Sequence, residues 1–150
     1  RNYRIKITAL QAVFYGFFIT RILKMALKYQ PKEKAVVMCD FSGFIAPEMV
    51  KTRPVVVISK HKKNSELVTI VPLSTTKPEP LEPYHYPMPN NPLPDKSNIQ
   101  CWAKCDMVYT VSLSRLDRYK LKKREYVVPV ISDEDFTNIK KAVAKALKLS

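Results

Sequence analysis

Glycine is almost missing from this chain: Gly16 and Gly43 are the only two in 150 residues. Loops that cradle a nucleotide phosphate need several glycines, for the tight turn and for close backbone approach. P-loop and dinucleotide-binding enzymes are therefore disfavoured. Cysteine is scarce and odd in number, and Cys39, Cys101 and Cys105 form no Cys-x-x-Cys pair. That argues against a disulfide framework and for a reducing, cytoplasmic compartment. A zinc site would have to recruit His61 or His85 from distant loops, and Cys39 lies in a strand pattern where a buried free thiol is ordinary. No metal and no cofactor are expected.

Long apolar runs are also lacking. The stretch 9–19 is apolar, but a bilayer span needs about 20 such residues. Arg1, Arg4 and Lys6 before it give it the look of a signal-peptide core, yet Arg21-Ile22-Leu23-Lys24 follows where a small-x-small cleavage site belongs. The expectation is that residues 1–24 are an upstream extension and that the working domain is 25–150, without membrane attachment. A membrane-tethering helix with basic flanks is the alternative for 1–24.

Acids are half as numerous as bases, 13 against 26, for a formal charge of +13. Residues 1–24 hold five of the cations and no acid, which leaves +8 on residues 25–150. Such an excess fits an acidic partner, nucleic acid or an acidic protein segment, although a basic surface also serves solubility alone. The length supports one domain, and 46% hydrophobic residues suffice for a single core.

The most informative stretch is Lys51-Thr52-Arg53-Pro54-Val55-Val56-Val57-Ile58-Ser59. Four β-branched residues between a proline and a polar turn read as a central strand buried on both faces. Pro54 biases Arg53 away from the helical region, so the guanidinium leaves an extended residue where the strand begins. Leu67 to Val71 reads as the hairpin partner and runs into Pro72-Leu73-Ser74-Thr75-Thr76, which sets Arg53 and Ser74 at one end of an antiparallel pair. Glu48, in a loop opened by Pro47, is within a swing of that edge. A carboxylate, a permanent guanidinium and hydroxyls in one place can move a proton and stabilise a pentavalent phosphate. The plainer alternative is an Arg53–Glu48 ion pair that pins the loop.

Seven of twelve prolines fall in residues 77–100, which excludes helix and central strand apart from a short edge around Tyr84-His85-Tyr86. The aromatics there are available for base stacking or for packing on the sheet. Residues 102–111 read as one strand after a turn, ending in Val108-Tyr109-Thr110-Val111. Lys120 to Arg124 reads as a basic hairpin turn and Tyr126 to Ile131 as a last strand. Ser132 caps a helix opened by Asp133-Glu134-Asp135. Phe136, Ile139, Val143, Ala146 and Leu147 recur at helical spacing toward the sheet.

The first strand Val36-Val37-Met38-Cys39-Asp40-Phe41, the Glu48 loop, the Arg53-Pro54 strand opening, the Val71–Thr76 strand end, and Cys105-Asp106-Met107-Val108 before a terminal helix together resemble the PemK/MazF family of toxins from toxin–antitoxin systems. The resemblance runs from about Met25 to the C-terminus. It implies a mainly β, α+β fold, a small SH3-like β-barrel with a C-terminal helix, as a homodimer neutralised by a cognate antitoxin. It also implies metal-independent cleavage of single-stranded RNA through attack of a 2′-hydroxyl, leaving a cyclic phosphate. Arg53 would then stabilise the phosphorane, Glu48 would be a candidate base and Ser74 would hydrogen-bond a phosphate oxygen. Thr76, Lys51, Lys77 and Tyr84 would be RNA-binding residues.

Two positions depart from the family's usual pattern: Ser74 stands where Thr is common, and Ala35 where Gly commonly precedes the first strand. Serine keeps the hydroxyl, and by strand alternation Thr76 is its nearest substitute. Three other readings stay open at this point. They are a non-catalytic barrel toxin that binds a protein such as DNA gyrase, an RNA-binding module without turnover, and a His61–His85 acid–base pair.

Overall fold

The computed structural model describes residues 27–149. The expectation for residues 1–24, an upstream extension, lies outside the described residues. Among these residues nine strands precede one α-helix: β1 Val36–Asp40, β2 Thr52–Lys60, β3 Leu67–Ser74, β4 His85–Pro87, β5 Trp102–Lys104, β6 Tyr109–Ser112, β7 Leu116–Asp117, β8 Tyr119–Lys122, β9 Glu125–Val127 and α1 Asp133–Ala146. Seven strands form one antiparallel sheet in the order β4-β5-β3-β2-β1-β7, with β6 also on β3, and β8–β9 make a separate ribbon.

β1, the middle of β2 and the second half of β3 are buried on both faces because apolar residues follow one another there without polar interruption. Val55, Val56 and Val57 are all fully buried. Their alternation divides the core into two layers. Val36, Val56, Val71 and Leu73 pack with Phe136, Ile139 and Ala142 of α1, while Val37, Val55, Val57 and Ile70 pack with Phe41, Val111 and Leu116. Each such side chain stabilises the fold by about 1.5–3 kcal/mol relative to exposure. The class is mainly β with a C-terminal helix, as expected, but the sheet is open rather than closed into a barrel. Among the described residues β4, β6 and β7 each pair on one side only, and all three are short.

Four local expectations are corrected. Residues 102–111 are two strands, because a turn after Lys104 lets β5 pair with Leu73–Ser74 while β6 pairs with Leu67–Ile70. Lys120 and Lys122 lie in β8, and the turn is at Lys123–Arg124 with Arg124 at φ 63°. The last strand ends at Val127, before Pro129, which has no N–H to donate; beyond it only Val130 bridges Ala35. Leu147 lies past the end of α1 and is 48% exposed, and Ala142 takes the buried place instead.

The cap of α1 is as read: Ser132 Oγ accepts from Asp135 N at 3.1 Å. Lys34 pairs with Asp133 in the first turn and holds its carboxyl below the usual range. Tyr86 Oη donates to Asp135 Oδ1 at 2.7 Å and accepts from Asn138 Nδ2 at 3.3 Å. Tyr86 therefore fastens edge strand β4 to the helix. No helix among the described residues is long and apolar enough to cross a membrane.

Candidate active site

The β2–β3 register pairs Val55 with Pro72 and Val56 with Val71. Continued by two residues, it sets Arg53 across from Ser74 at one end of the hairpin. A cavity of about 170 Å³ opens there. Thr52, Arg53 and Pro54 line it from the start of β2, Leu73 and Ser74 from the end of β3, and Met38 from β1. Thr75 follows β3, Asn91, Leu93 and Lys96 come from the proline-rich segment, and Cys101 and Tyr119 complete the wall.

Its electrostatics are one-sided. Among the described residues that line it, Arg53 and Lys96 are the only ionic ones, and none is a carboxylate. Neither side chain makes an ion pair or hydrogen bond with another described residue. The Arg53–Glu48 pair is therefore not formed. Glu48 Oε2 instead accepts from Ile45 N at 2.9 Å, folded back on its own loop and outside the lining. That loop is held from other directions as well: Met49 N donates to Tyr109 Oη at 3.2 Å, and Arg115 Nη1 donates to the carbonyls of Asp40 and Ser42.

Ser74 is buried, and its Oγ accepts from Thr76 N at 3.2 Å. A hydroxyl that accepts one bond still has its own hydrogen to give. The turn made by that bond ends the strand, so alternation does not carry on to Thr76. Thr75, not Thr76, shares the cavity with Ser74. Lys51 and Lys77 are exposed to either side of this strand end and do not line the cavity.

Tyr84 is half-buried, packs on the core and lies with its ring 4.7 Å from that of His85. Burial, then Asp106 and Glu82, push its phenol up. It stands away from the cavity. His85 Nδ1 accepts from Glu82 N, and His61 Nδ1 accepts from Asn64 N in the β2–β3 turn. Neither imidazole lines the cavity, which removes the two-histidine reading from this site. All three thiols are buried, and burial pushes Cys101 up to about 11 and Cys39 and Cys105 to about 12. Cys101 is accordingly a neutral wall here and not a nucleophile.

Asn91, Lys96 and Tyr119 were not singled out from the sequence. Tyr119 is buried, its Oη donates to Asp95 Oδ1 at 2.7 Å, and burial followed by that carboxylate pushes the phenol up to about 12. The signal available was slight: a tyrosine among lysines that alternates with them along β8.

Comparison with known proteins bears on what such a cavity belongs to. Residues 32–147 match the family described as PemK-like, MazF-like toxin of type II toxin-antitoxin system. The uncharacterized protein YifN of Escherichia coli strain K12 is 30% identical over 144 residues, covering 82% of this chain and 95% of that protein. Among solved structures, MazF from Deinococcus radiodurans superposes with a TM-score of 0.60 at 15% identity, covering 81% of this chain and 99% of its own. An endoribonuclease in complex with its cognate antitoxin, from a mycobacterial species, gives 0.56 at 21% identity over 80% of this chain and 97% of its own. The Mycobacterium tuberculosis toxin MazF-mt6 gives 0.54 at 18% identity over 77% and 98%. At those identities the structural likeness is one of fold, while the family match spans most of the chain. This chain belongs to the PemK-like, MazF-like toxins of type II toxin–antitoxin systems.

Proposed function

We propose that this protein is an endoribonuclease that cleaves single-stranded RNA by attack of a 2′-hydroxyl on the adjacent phosphorus. The observation that carries it is the cavity at the β2–β3 end, where Arg53 and Ser74 share the lining and, among the described residues, Arg53 has no ionic partner and no carboxylate lines the wall. A site of that charge suits a phosphodiester and, more, the phosphorane that gathers charge during its cleavage. Two similar folds are endoribonucleases by name, which supports the same reading.

In the reaction the 2′-oxygen forms a bond to phosphorus as the bond from phosphorus to the 5′-oxygen breaks. The 2′-hydroxyl gives up a proton and the departing 5′-oxygen takes one, so the step balances without redox partner or cofactor. Arg53 holds the equatorial oxygens, and Ser74 donates its free hydrogen to one of them. Thr75 takes the supporting place expected of Thr76. Lys51 and Lys77, exposed beside the strand end, meet the flanking phosphates. Tyr84 has only its exposed edge to offer a base. Proton removal from the 2′-hydroxyl falls to Glu48, which reaches the cavity by leaving Ile45 N when the 41–51 loop moves on substrate.

A cognate antitoxin and a second copy of the chain are the protein partners that accompany this reading. The antitoxin in complex with a related fold supports the first. Ile45, 76% exposed on the 41–51 loop, offers apolar surface for either. Three reduced thiols suit the cytoplasm. Incubating a long transcript with the protein in EDTA and mapping the new ends tests the proposal: it expects 2′,3′-cyclic phosphates and 5′-hydroxyls. Uncut transcript bound by folded protein would leave an RNA-binding module instead.

A further inference from the structure

The proline-rich segment is not a passive connector. Residues 88–101 are tied at both ends and in the middle. Met88 N donates to Cys101 O at 3.0 Å, and Gln100 Nε2 donates to the carbonyls of Met88 and Cys101. Asn91, buried, accepts from Leu93 N with Oδ1 and donates to Ile99 O with Nδ2, both at 3.0 Å. Met88 and Leu93 are sunk in the core. A short 3-10 turn, Pro94–Lys96, follows Leu93 and brings Lys96 to the cavity wall, and its Asp95 accepts from the buried Tyr119 Oη. That bond joins the segment to β8 across 24 positions of sequence. A segment so held fixes the place of what it displays, and beside the cavity it displays Lys96.

We infer that Lys96 is a second phosphate-binding cation of the cavity, which grips the phosphodiester next to the one held by Arg53 and so adds one nucleotide to the RNA footprint. Arg53 and Lys96 line the same cavity from separate elements, and among the described residues neither has an ionic partner and no lining carboxylate competes for either. An ammonium on a flexible stem suits a point contact to a neighbouring phosphate, whereas the planar guanidinium suits the reacting one. Asp95 lies beside Lys96 in sequence but accepts from Tyr119 Oη and forms no ion pair with the ammonium. Lys96 is then a binding residue, and Tyr119 a positioning residue that acts through Asp95. The inference rests on the part of the proposed function that seats RNA in this cavity, whether or not the strand is then cut.

The test uses a single-stranded RNA oligonucleotide made non-cleavable by one 2′-deoxy sugar at a mapped cut, or the intact transcript if no cut is found. Binding is measured by anisotropy across a salt series. Lys96→Met should weaken binding several-fold and lower the slope of log affinity against log salt by about 0.7, the value for one lost contact to a single strand. Lys96→Arg should restore most of both, and Tyr119→Phe should give an intermediate loss. In turnover, Lys96→Met should raise KM by a larger factor than it lowers kcat. Parent-like affinity and salt slope in Lys96→Met would overturn the inference even if the parent cuts RNA normally. A parent that binds without cutting would overturn the cleavage reading alone, since the salt slopes still decide Lys96. A parent that neither binds nor cuts RNA would overturn both.

Discussion

Arg53 stands across from Ser74 at the end of the β2–β3 hairpin, and Arg53 has no ionic partner among the described residues. Strand geometry puts a cation and a hydroxyl donor into one cavity and leaves both available to a ligand. The first expectation follows from that pair. Arg53→Ala should lower kcat/KM by about 10²–10³, the size of one lost transition-state contact. Its melting temperature should stay close to the parent's, because half-exposed surface changes outside any network stay within about 0.5 kcal/mol. Ser74→Ala should act in the same direction more mildly, with the Thr75 hydroxyl nearby. Single-turnover kinetics beside thermal melts measure both effects.

Glu48 gives a sharper discrimination. Its carboxylate accepts from Ile45 N, and glutamine can accept the same bond through its side-chain oxygen. Glu48→Gln should therefore keep the loop and the melting temperature while it loses at least tenfold in turnover, since general base catalysis is worth about 10²–10⁴. Full turnover in Glu48→Gln would show that the 2′-proton leaves by another route.

Much of this arrangement was legible in the sequence, and the parts that were not share a cause. A run of β-branched residues between Pro54 and a polar turn specifies a doubly buried strand and its register, and with it the meeting of Arg53 and Ser74. The Ser132 cap and the acidic first turn specify α1 by rules that act within four residues. Lys96 and Tyr119 were invisible because the bond that relates their elements joins Asp95 to Tyr119 over 24 positions, and nothing local announces it. Thr76 was favoured over Thr75 because period-two alternation was extended past Ser74, where the Thr76 N–H turns back to Ser74 Oγ and ends the strand. Glu48 was read as swinging freely, while its own loop supplies a nearer donor.

Alkaline unfolding reports on Tyr119. Its phenol is raised from 10.0 to about 12 in the folded protein by burial and by Asp95, so the unfolded chain releases this proton first. The stability it contributes is fully present below pH 10 and is lost as pH rises toward 12. Tyr84 and Tyr86 are raised as well, so Tyr119→Phe should flatten the loss without abolishing it. At neutral pH the same variant should be less stable by about 1 kcal/mol for the missing hydrogen bond. Urea melts from pH 7 to 11.5 show both; an unchanged slope would remove Tyr119 from the role.

The thiols should be inert in the native state. Cys39, Cys101 and Cys105 are buried and held protonated, with pKa values pushed up to about 11–12, and the thiolate is the reactive form. A colorimetric disulfide reagent at pH 8 should label none of them in folded protein and all three in denaturant. Fast labelling of native protein at Cys101 would mean that the cavity wall opens.

The most direct test of the central claim is cleavage of one single-stranded RNA against the same RNA carrying a single 2′-deoxy sugar at the cut, both in EDTA. The deoxy sugar removes the nucleophile and leaves every phosphate in place. The unmodified strand should be cut to a cyclic phosphate and a 5′-hydroxyl end, and the deoxy strand should bind with similar affinity and survive. Cleavage of the deoxy strand, or cleavage of the unmodified strand only after metal is added, would contradict 2′-hydroxyl attack in a cavity that holds the phosphorane with Arg53.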